Sequence, residues 1–254
     1  MDTARIAALL EPFLPQPLSP SQLDQISMYI DLLFRWNSRI NLTAIRNEEE
    51  IVTRHFGESL FLASQLFPEE RVARTFLSAN ADSAQPLEDS QLSNPSHPER
   101  SRRDHYLSSK PEPLRPTRVL DIGSGAGFPA LPLKIWAPYL QLTLIESNHK
   151  KAAFLREVAR ALTLTNINVI ADRAEVLAAS PDVPQADVVT LRAVEHFEAV
   201  LPMAVTFLAR NASLALLIST AQLPHLTTIT TVNWRQPISV PQSHTRVLSI
   251  GVHR

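Results

Sequence analysis

Hydrophobic positions near the start of the chain recur at helical spacing. After Ser19-Pro20-Ser21-Gln22, Leu23, Ile26, Ile30 and Leu33 follow one another every three or four residues, which predicts an amphipathic helix. The four residues before that face fit a capping box with proline at the first helical position. A second helix is expected from Asn47, with Glu48, Glu49 and Glu50 in its first turn, where the helix dipole favours acids. Val52, Phe56, Leu60 and Ala63 form its apolar face. Residues 1–67 therefore read as a helical extension. From 117 to 254 the pattern changes. Short apolar runs at Arg118–Ile122, Gln141–Glu146, Asn168–Ala171, Asp187–Leu191 and Ser213–Ser219 alternate with helical stretches, the clearest being HKKAAFLREVARAL from His149 to Leu162. That alternation predicts βαβ units and a parallel sheet. The runs NWRQPISV and HTRVLSIGV have no helix between them and predict an antiparallel hairpin on the sheet edge.

Residues 68–116 separate these parts, and over 78–116 the composition is rich in proline and serine, has no glycine and offers few large apolar side chains. Such a stretch cannot bury enough surface to offset its ordering entropy. It reads as an inserted mobile segment, with ERSRRDH (Glu99–His105) as a solvated mixed-charge cluster. Across the 254 residues, 44% are hydrophobic and 19% charged, the composition of a soluble globular protein. No apolar run reaches a membrane-spanning length, and the N-terminus does not read as a signal peptide; a cytoplasmic protein is expected. The absence of cysteine excludes disulfides, thiolate metal sites and a cysteine nucleophile. A formal net charge of −1 gives no bulk signal for nucleic acid, so any RNA contact requires local patches or a partner.

The stretch VLDIGSGAGFPALPLKIW (Val119–Trp136) carries the most specific chemistry. A strand ends in glycines at alternate positions and a helix follows, an arrangement that brings backbone close to a ligand. A phosphate-cradling loop needs Gly-Lys-Ser/Thr, whereas this turn continues Phe128-Pro129-Ala130. A dinucleotide fold needs a small residue where Phe128 stands. S-adenosylmethionine, which has no pyrophosphate, fits better. Asp121 beside Gly123 and Gly125 is placed to face the cationic amino-acid end of such a donor. Glu146, 23 positions after Gly123, is placed for the ribose hydroxyls. Asp172, Ala174 and Glu175, in VIADRAE, lie where such folds contact adenine, although an acid after a strand is also ordinary loop chemistry.

The acceptor is narrowed by exclusion. Methylation at pyrimidine C5 needs a cysteine nucleophile, and TLRAVEHF replaces the Asn/Asp-Pro-Pro-aromatic turn typical of exocyclic amine methylation. A ring nitrogen with a free lone pair needs no base, and positioning alone can drive its reaction. Arg192 could line that site or be a surface arginine after a strand.

RWNSRINLTAI (Arg35–Ile45), RHFGESL (Arg54–Leu60), VLDIGSGAGFPALPLKI (Val119–Ile135) and ESNHKKAAFLREV (Glu146–Val158) together resemble one family closely. It is the small-subunit ribosomal RNA guanine-N7 methyltransferase G family, also called the glucose-inhibited division protein B family, and the match covers roughly 20–67 and 117–220. The resemblance implies an α/β, Rossmann-like S-adenosylmethionine-dependent methyltransferase fold, with a seven-stranded, mostly parallel sheet and an N-terminal helical extension. It implies methyl transfer to N7 of a guanine in 16S ribosomal RNA near the decoding region. The near-zero charge points to a small-subunit particle as substrate, with no metal and no membrane involved. Carried over by motif, Gly123, Phe128, Ala174, Glu175 and Arg192 would contact the donor. Asn37, Asn41, Arg54 and His55 are candidates for shaping the RNA-facing cleft; Asn37 and Asn41 could equally be a cap and a turn, and His55 a helix-face histidine. A small-molecule methyltransferase and a non-catalytic ribosome-assembly factor are the alternatives. The sequence departs from the family at four places. Ala130 stands where a fourth glycine is usual, and Leu191 replaces a small polar residue. The fifth strand ends LLISTAQL instead of in Lys-Gly, and the 78–116 insertion is absent from typical members.

Overall fold

A computed structural model describes residues 1–68, 116–194 and 196–254; the expected mobile insertion lies outside the described residues apart from its last position. Residues Met1–Pro68 and Pro116–Arg254 form one compact unit. Helix α1 (Thr3–Leu10) leads into α2 (Pro20–Asn37). The predicted capping box is present: Gln22 N–H donates to Ser19 Oγ, and the Ser19 N–H to Gln22 Oε1. The second predicted helix starts at the Asn47 cap but is not uniform. It runs as α3 (Glu48–Glu50), a π-helical stretch (Ile51–Gly57) and α4 (Glu58–Leu66). Val52, Phe56, Leu60 and Ala63 are fully buried, as the spacing requires.

The second part is the expected alternation. Its elements are β1 (Arg118–Ile122), α5 (Ala130–Trp136), β2 (Gln141–Ile145), α6 (His149–Ala161) and β3 (Ile167–Ile170). They continue with α7 (Ala174–Ala178), β4 (Ala186–Arg192), α8 (Phe197–Val205) and β5 (Leu208–Ser219). After a short α9 (Leu223–Leu226) come β6 (Val232–Trp234), β7 (Ile238–Ser239) and β8 (Arg246–His253). The sheet order is β3-β2-β1-β4-β5-β8-β6, with the two-residue β7 pairing β8. Strands β1 to β5 are parallel, whereas β8 is antiparallel to β5, β6 and β7. The terminal hairpin is therefore present, but its last strand is inserted between β5 and β6. Seven strands make the main path and the eighth is a short addition.

The sheet is Val-, Leu- and Ile-rich because helices cover both faces of a parallel sheet. Leu120, Val189, Leu191, Leu214 and Leu216 sit in one buried cluster with Phe197, Leu201 and Phe207 from the helix α8 side. The strand order reverses between β1 and β4, and the crevice at that point opens at the carboxyl ends of the strands. Open α/β sheets bind ligands there. No helix among the described residues is long and apolar enough to cross a membrane.

Candidate active site

The glycine turn follows β1 and is pinned to the end of β2: Gly123 and Ser124 N–H both donate to the Ile145 carbonyl, at 2.9 and 3.0 Å. Gly123, Gly125 and Gly127 all have positive φ. Gly127 is also sterically obligatory, since a Cβ there would lie 2.3 Å from the Tyr29 hydroxyl and 2.6 Å from Leu131 Cδ1. Glu146, just past β2, ties two segments together. Its Oε2 accepts the Gly125 N–H at 2.8 Å and its Oε1 accepts the Asn148 N–H at 2.8 Å. Asn148 in turn caps α6 by accepting from Lys150 and Lys151 N–H.

These residues border a cleft of about 1330 Å³. Gly123, Gly125, Phe128, Glu146, Asp172, Ala174, Glu175 and Arg192 line it, as do Arg54 and His55. The structure thus brings eight of the candidate donor-site residues and two of the RNA-facing candidates to one cavity. Asp121, Asn37 and Asn41 are not among its lining residues. Asp121 is buried beneath the turn, where its Oδ1 accepts the Thr190 hydroxyl and its Oδ2 has no hydrogen-bond partner. Burial pushes its carboxyl up to about 7, against the lowering effect of the Thr190 and Ser124 hydrogen bonds. Asn37 is also buried, and its amide is spent on the chain's own turn. Its Oδ1 accepts from Leu42 and Thr43 N–H, and its Nδ2 donates to the Thr43 carbonyl. Asn41 is exposed and accepts a long, 3.4 Å bond from Arg46. Asn37 thus takes the turn role that was the alternative to a cleft role, and Asn41 does not line the cleft.

Phe128 does not obstruct the packing of the turn, because it points into the helical extension. Tyr29 stacks on it with ring centroids 5.3 Å apart, His55 stacks at 4.7 Å, and Phe56 meets it edge-on at 5.0 Å. The Tyr29 hydroxyl donates to the Ala126 carbonyl within the turn at 2.5 Å. Burial, reinforced by Arg192, Arg54 and Arg246, lowers His55 to about 3, so its imidazole is neutral. Its Nε2 pairs with the Thr43 hydroxyl at 2.8 Å.

Arg192 is not a surface arginine. It is buried at the end of β4, where Nη2 donates to Glu58 Oε2 at 3.1 Å and to the Arg54 carbonyl at 2.5 Å. Its guanidinium lies 6.0 Å from the Phe128 ring centroid. Arg246 from β8 reaches the same Glu58 oxygen at 3.2 Å. Glu58 and Tyr29, behind the cleft, and Arg246, on its lining, hold Arg192 and the turn in place, and none of the three was singled out from the sequence. Glu58 carried a signal, as an acid in the otherwise uncharged run FGESLFLASQL. Arg246 and Tyr29 carried none in local spacing. Both Arg54 and His55 lie in the π-helical stretch, a distortion that recurs at functional sites.

A sheet with this reversal point, a glycine turn after its first strand and an acid at the tip of its second is the Rossmann-like fold of S-adenosylmethionine-dependent methyltransferases. The profile of the family described as rRNA small subunit methyltransferase G matches residues 22–75 and 106–242, and the chain belongs to that family. Curated relatives named Ribosomal RNA small subunit methyltransferase G agree. The protein of Chloroflexus aggregans is 35% identical over 193 residues, covering 76% of this chain and 62% of its own length. The Roseiflexus castenholzii protein is 39% identical over 178 residues, 70% of this chain and 56% of its own. The Bacillus subtilis protein is 30% identical over 195 residues, 76% of this chain and 63% of its own. The chain therefore spans somewhat less than two thirds of these relatives. Among solved structures, precorrin-6y C5,15-methyltransferase from Geobacter metallireducens is similar at 16% identity and a TM-score of 0.42, covering 55% of this chain and 80% of its own.

Proposed function

We propose that this chain transfers a methyl group from S-adenosylmethionine to N7 of a guanine in 16S ribosomal RNA near the decoding region, acting in the cytoplasm on a small-subunit particle. The observation that carries this reading is the meeting of two chemically distinct walls in one cleft. One wall is the glycine turn with Glu146, Asp172, Ala174 and Glu175; the other is Arg54, His55, Phe128 and Arg192.

The first wall fits the donor. Backbone at Gly123 and Gly125 offers close approach, and the Glu146 carboxylate retains lone pairs for the ribose hydroxyls beyond the two N–H groups it already accepts. Bound there, the donor supplies a methyl group on a positively charged sulfur. The chain's own part is to bind, orient and exclude water. A guanine N7 carries its own lone pair, so no residue has to remove a proton, and holding the two reactants in line accounts for most of the rate. The neutral His55, stacked on Phe128, offers an uncharged edge for a base, while the exposed Arg54 beside it suits a flanking phosphate.

Labelled methyl transfer from S-adenosylmethionine to small ribosomal subunits lacking the modification, followed by mapping of the modified base, tests this. Label at N7 of one guanine is expected. Donor binding without label in the RNA would refute the assigned acceptor.

A further inference from the structure

Resting on that reading, we infer that the junction of α2 and α6 is a docking surface for the RNA backbone beside the cleft, with Arg35, Arg39, Arg46, Lys150 and Lys151 holding its phosphates. Two stretches far apart in the sequence carry the argument. Residues 32–47 contain three arginines and no acid, and residues 147–156 contain two lysines, an arginine and a histidine and no acid. The whole chain has a formal net charge of −1, so this concentration of charge is local. The fold brings the two stretches together. Trp36 meets the Phe154 ring at 5.8 Å between centroids, and Gln25 Nε2 donates to the Leu162 carbonyl at 3.2 Å. Arg35 and Arg39 stand within three positions of Trp36, and Lys150 and Lys151 lie one helical turn before Phe154. Both stretches reach the cleft, the first through Thr43 and Ile45 and the second through Ser147 and Lys151.

These charges are not spent within the fold. Arg35, Arg39, Arg46 and Lys150 are exposed and Lys151 is half-buried. Among the described residues none of the five pairs with a carboxylate, whereas Arg5, Arg54, Arg118, Arg192 and Arg246 each do. Arg46 bonds only to its own loop, at the Thr43 carbonyl and Asn41. Arg35 suits the last turn of α2, where the helix dipole favours a cation. Lys150 and Lys151 have no such local reason. With His149 they occupy the first turn of α6, which holds no acid, and the dipole repels cations there. The helix that starts at Asn47 shows the opposite, favourable choice, with three glutamates in its first turn. Lysines that work against the start of their own helix mark a place where function overrides local structure. Free arginine and lysine side chains suit phosphate oxygens, and such contacts position a strand without reading its sequence.

The test compares the unaltered chain with R39Q, K150Q, the double variant R39Q/K150Q and R210Q, which removes an exposed cation near the start of β5, at the end of the sheet opposite the cleft. Binding to protein-free 16S ribosomal RNA is measured across a salt series, donor binding by calorimetry and stability by thermal unfolding. R39Q and K150Q should each lower the slope of log affinity against log salt by roughly 0.7–0.9, one phosphate contact, and the double variant by roughly twice that. R210Q should leave the slope unchanged. Donor affinity should stay the same in all four, and K150Q should melt no lower than the unaltered chain, because it relieves the first turn of α6. An unchanged slope in R39Q/K150Q, an equal fall in R210Q, a lower melting temperature in K150Q, or no RNA binding by the unaltered chain overturns the assignment. So does an effect of the double variant confined to intact small subunits, which would assign the surface to a ribosomal protein. Failure of the unaltered chain to methylate small subunits, with the slopes as expected, would instead overturn the proposed function, so the two failures are distinguishable.

Discussion

Removing the charge from Glu58 while keeping its shape is the sharpest test of how the acceptor wall is built. Glu58 Oε2 takes Nη2 of Arg192 at 3.1 Å and Nη2 of Arg246 at 3.2 Å, and the Glu58 side chain is only 4% exposed. Arg192 is pushed down to about 10 by burial even with Glu58 beside it. In Glu58→Gln two guanidiniums remain, with the Arg54 and Leu217 carbonyls and an amide oxygen as acceptors and Arg54 itself as a third like charge. Breaking a buried ion pair by removing one partner costs about 3–5 kcal/mol. For a domain of this size that corresponds to a fall of roughly 6–20 °C in melting temperature. Urea unfolding and thermal scans both read it. Replacing one of the stranded cations as well, in E58Q/R192M, should regain part of the loss, because an uncompensated buried charge is removed with it. A loss below about 1 kcal/mol in E58Q, the value of a solvated surface pair, would refute the buried arrangement.

Three further outcomes are expected. Glu146→Ala should raise the donor dissociation constant about tenfold or more and also cost about 1–3 kcal/mol of stability, since Gly125 and Asn148 N–H lose their acceptor; an unchanged constant by calorimetry removes Glu146 from the site. Gly127→Ala should cost at least about 2 kcal/mol, through its positive φ and the close Tyr29 hydroxyl, and less when combined with Tyr29→Phe; additivity within about 0.5 kcal/mol would show that the two do not touch. Asp121, raised to about 7, contributes stability that is full below about pH 4 and fades as pH rises to 7, whereas His55, lowered to about 3, contributes stability that is full above about pH 6.5 and fades as pH falls. Between those limits the two slopes oppose, so stability should rise with pH in D121N and fall with pH in H55Q, and unfolding curves with parallel slopes in both would contradict the burial of these groups.

The donor wall was legible in the sequence because each of its parts is local. A strand, its glycine turn and the acid closing the next strand are contiguous patterns, and parallel pairing of β1 with β2 places Ile122 beside Ile145. Gly125 and Glu146 then fall within hydrogen-bond reach without any further information. The acceptor wall was legible only in part. Periodicity found the helix beginning at Asn47 and its apolar face, but 3.6-residue spacing assumes a regular helix. The π-helical stretch from Ile51 to Gly57 changes the direction in which Arg54 and His55 project. Arg192, Glu58 and Arg246 meet across separations of 134 and 188 positions, and nothing in local spacing encodes a meeting of that kind. Asn37 stayed between two readings for a different reason. Asparagine serves caps, turns and ligand contacts with the same atoms, and here the backbone of residues 42 and 43 takes all of them.

The helical extension is part of the site, and this follows from where its polar and aromatic groups end. Tyr29 closes on the Ala126 carbonyl inside the glycine turn, and with His55 it stacks on Phe128. Arg192, at the end of a sheet strand, is held by a carboxylate and a carbonyl that both come from the extension. The conformation of the turn and the position of Arg192 are therefore set jointly by the extension and the sheet. Arg192 carries that coupling most directly, because it lines the cleft from β4 while its partners lie 134 and 138 positions away. His55 reaches the turn through Phe128 as well, so the extension contacts both ends of the cleft.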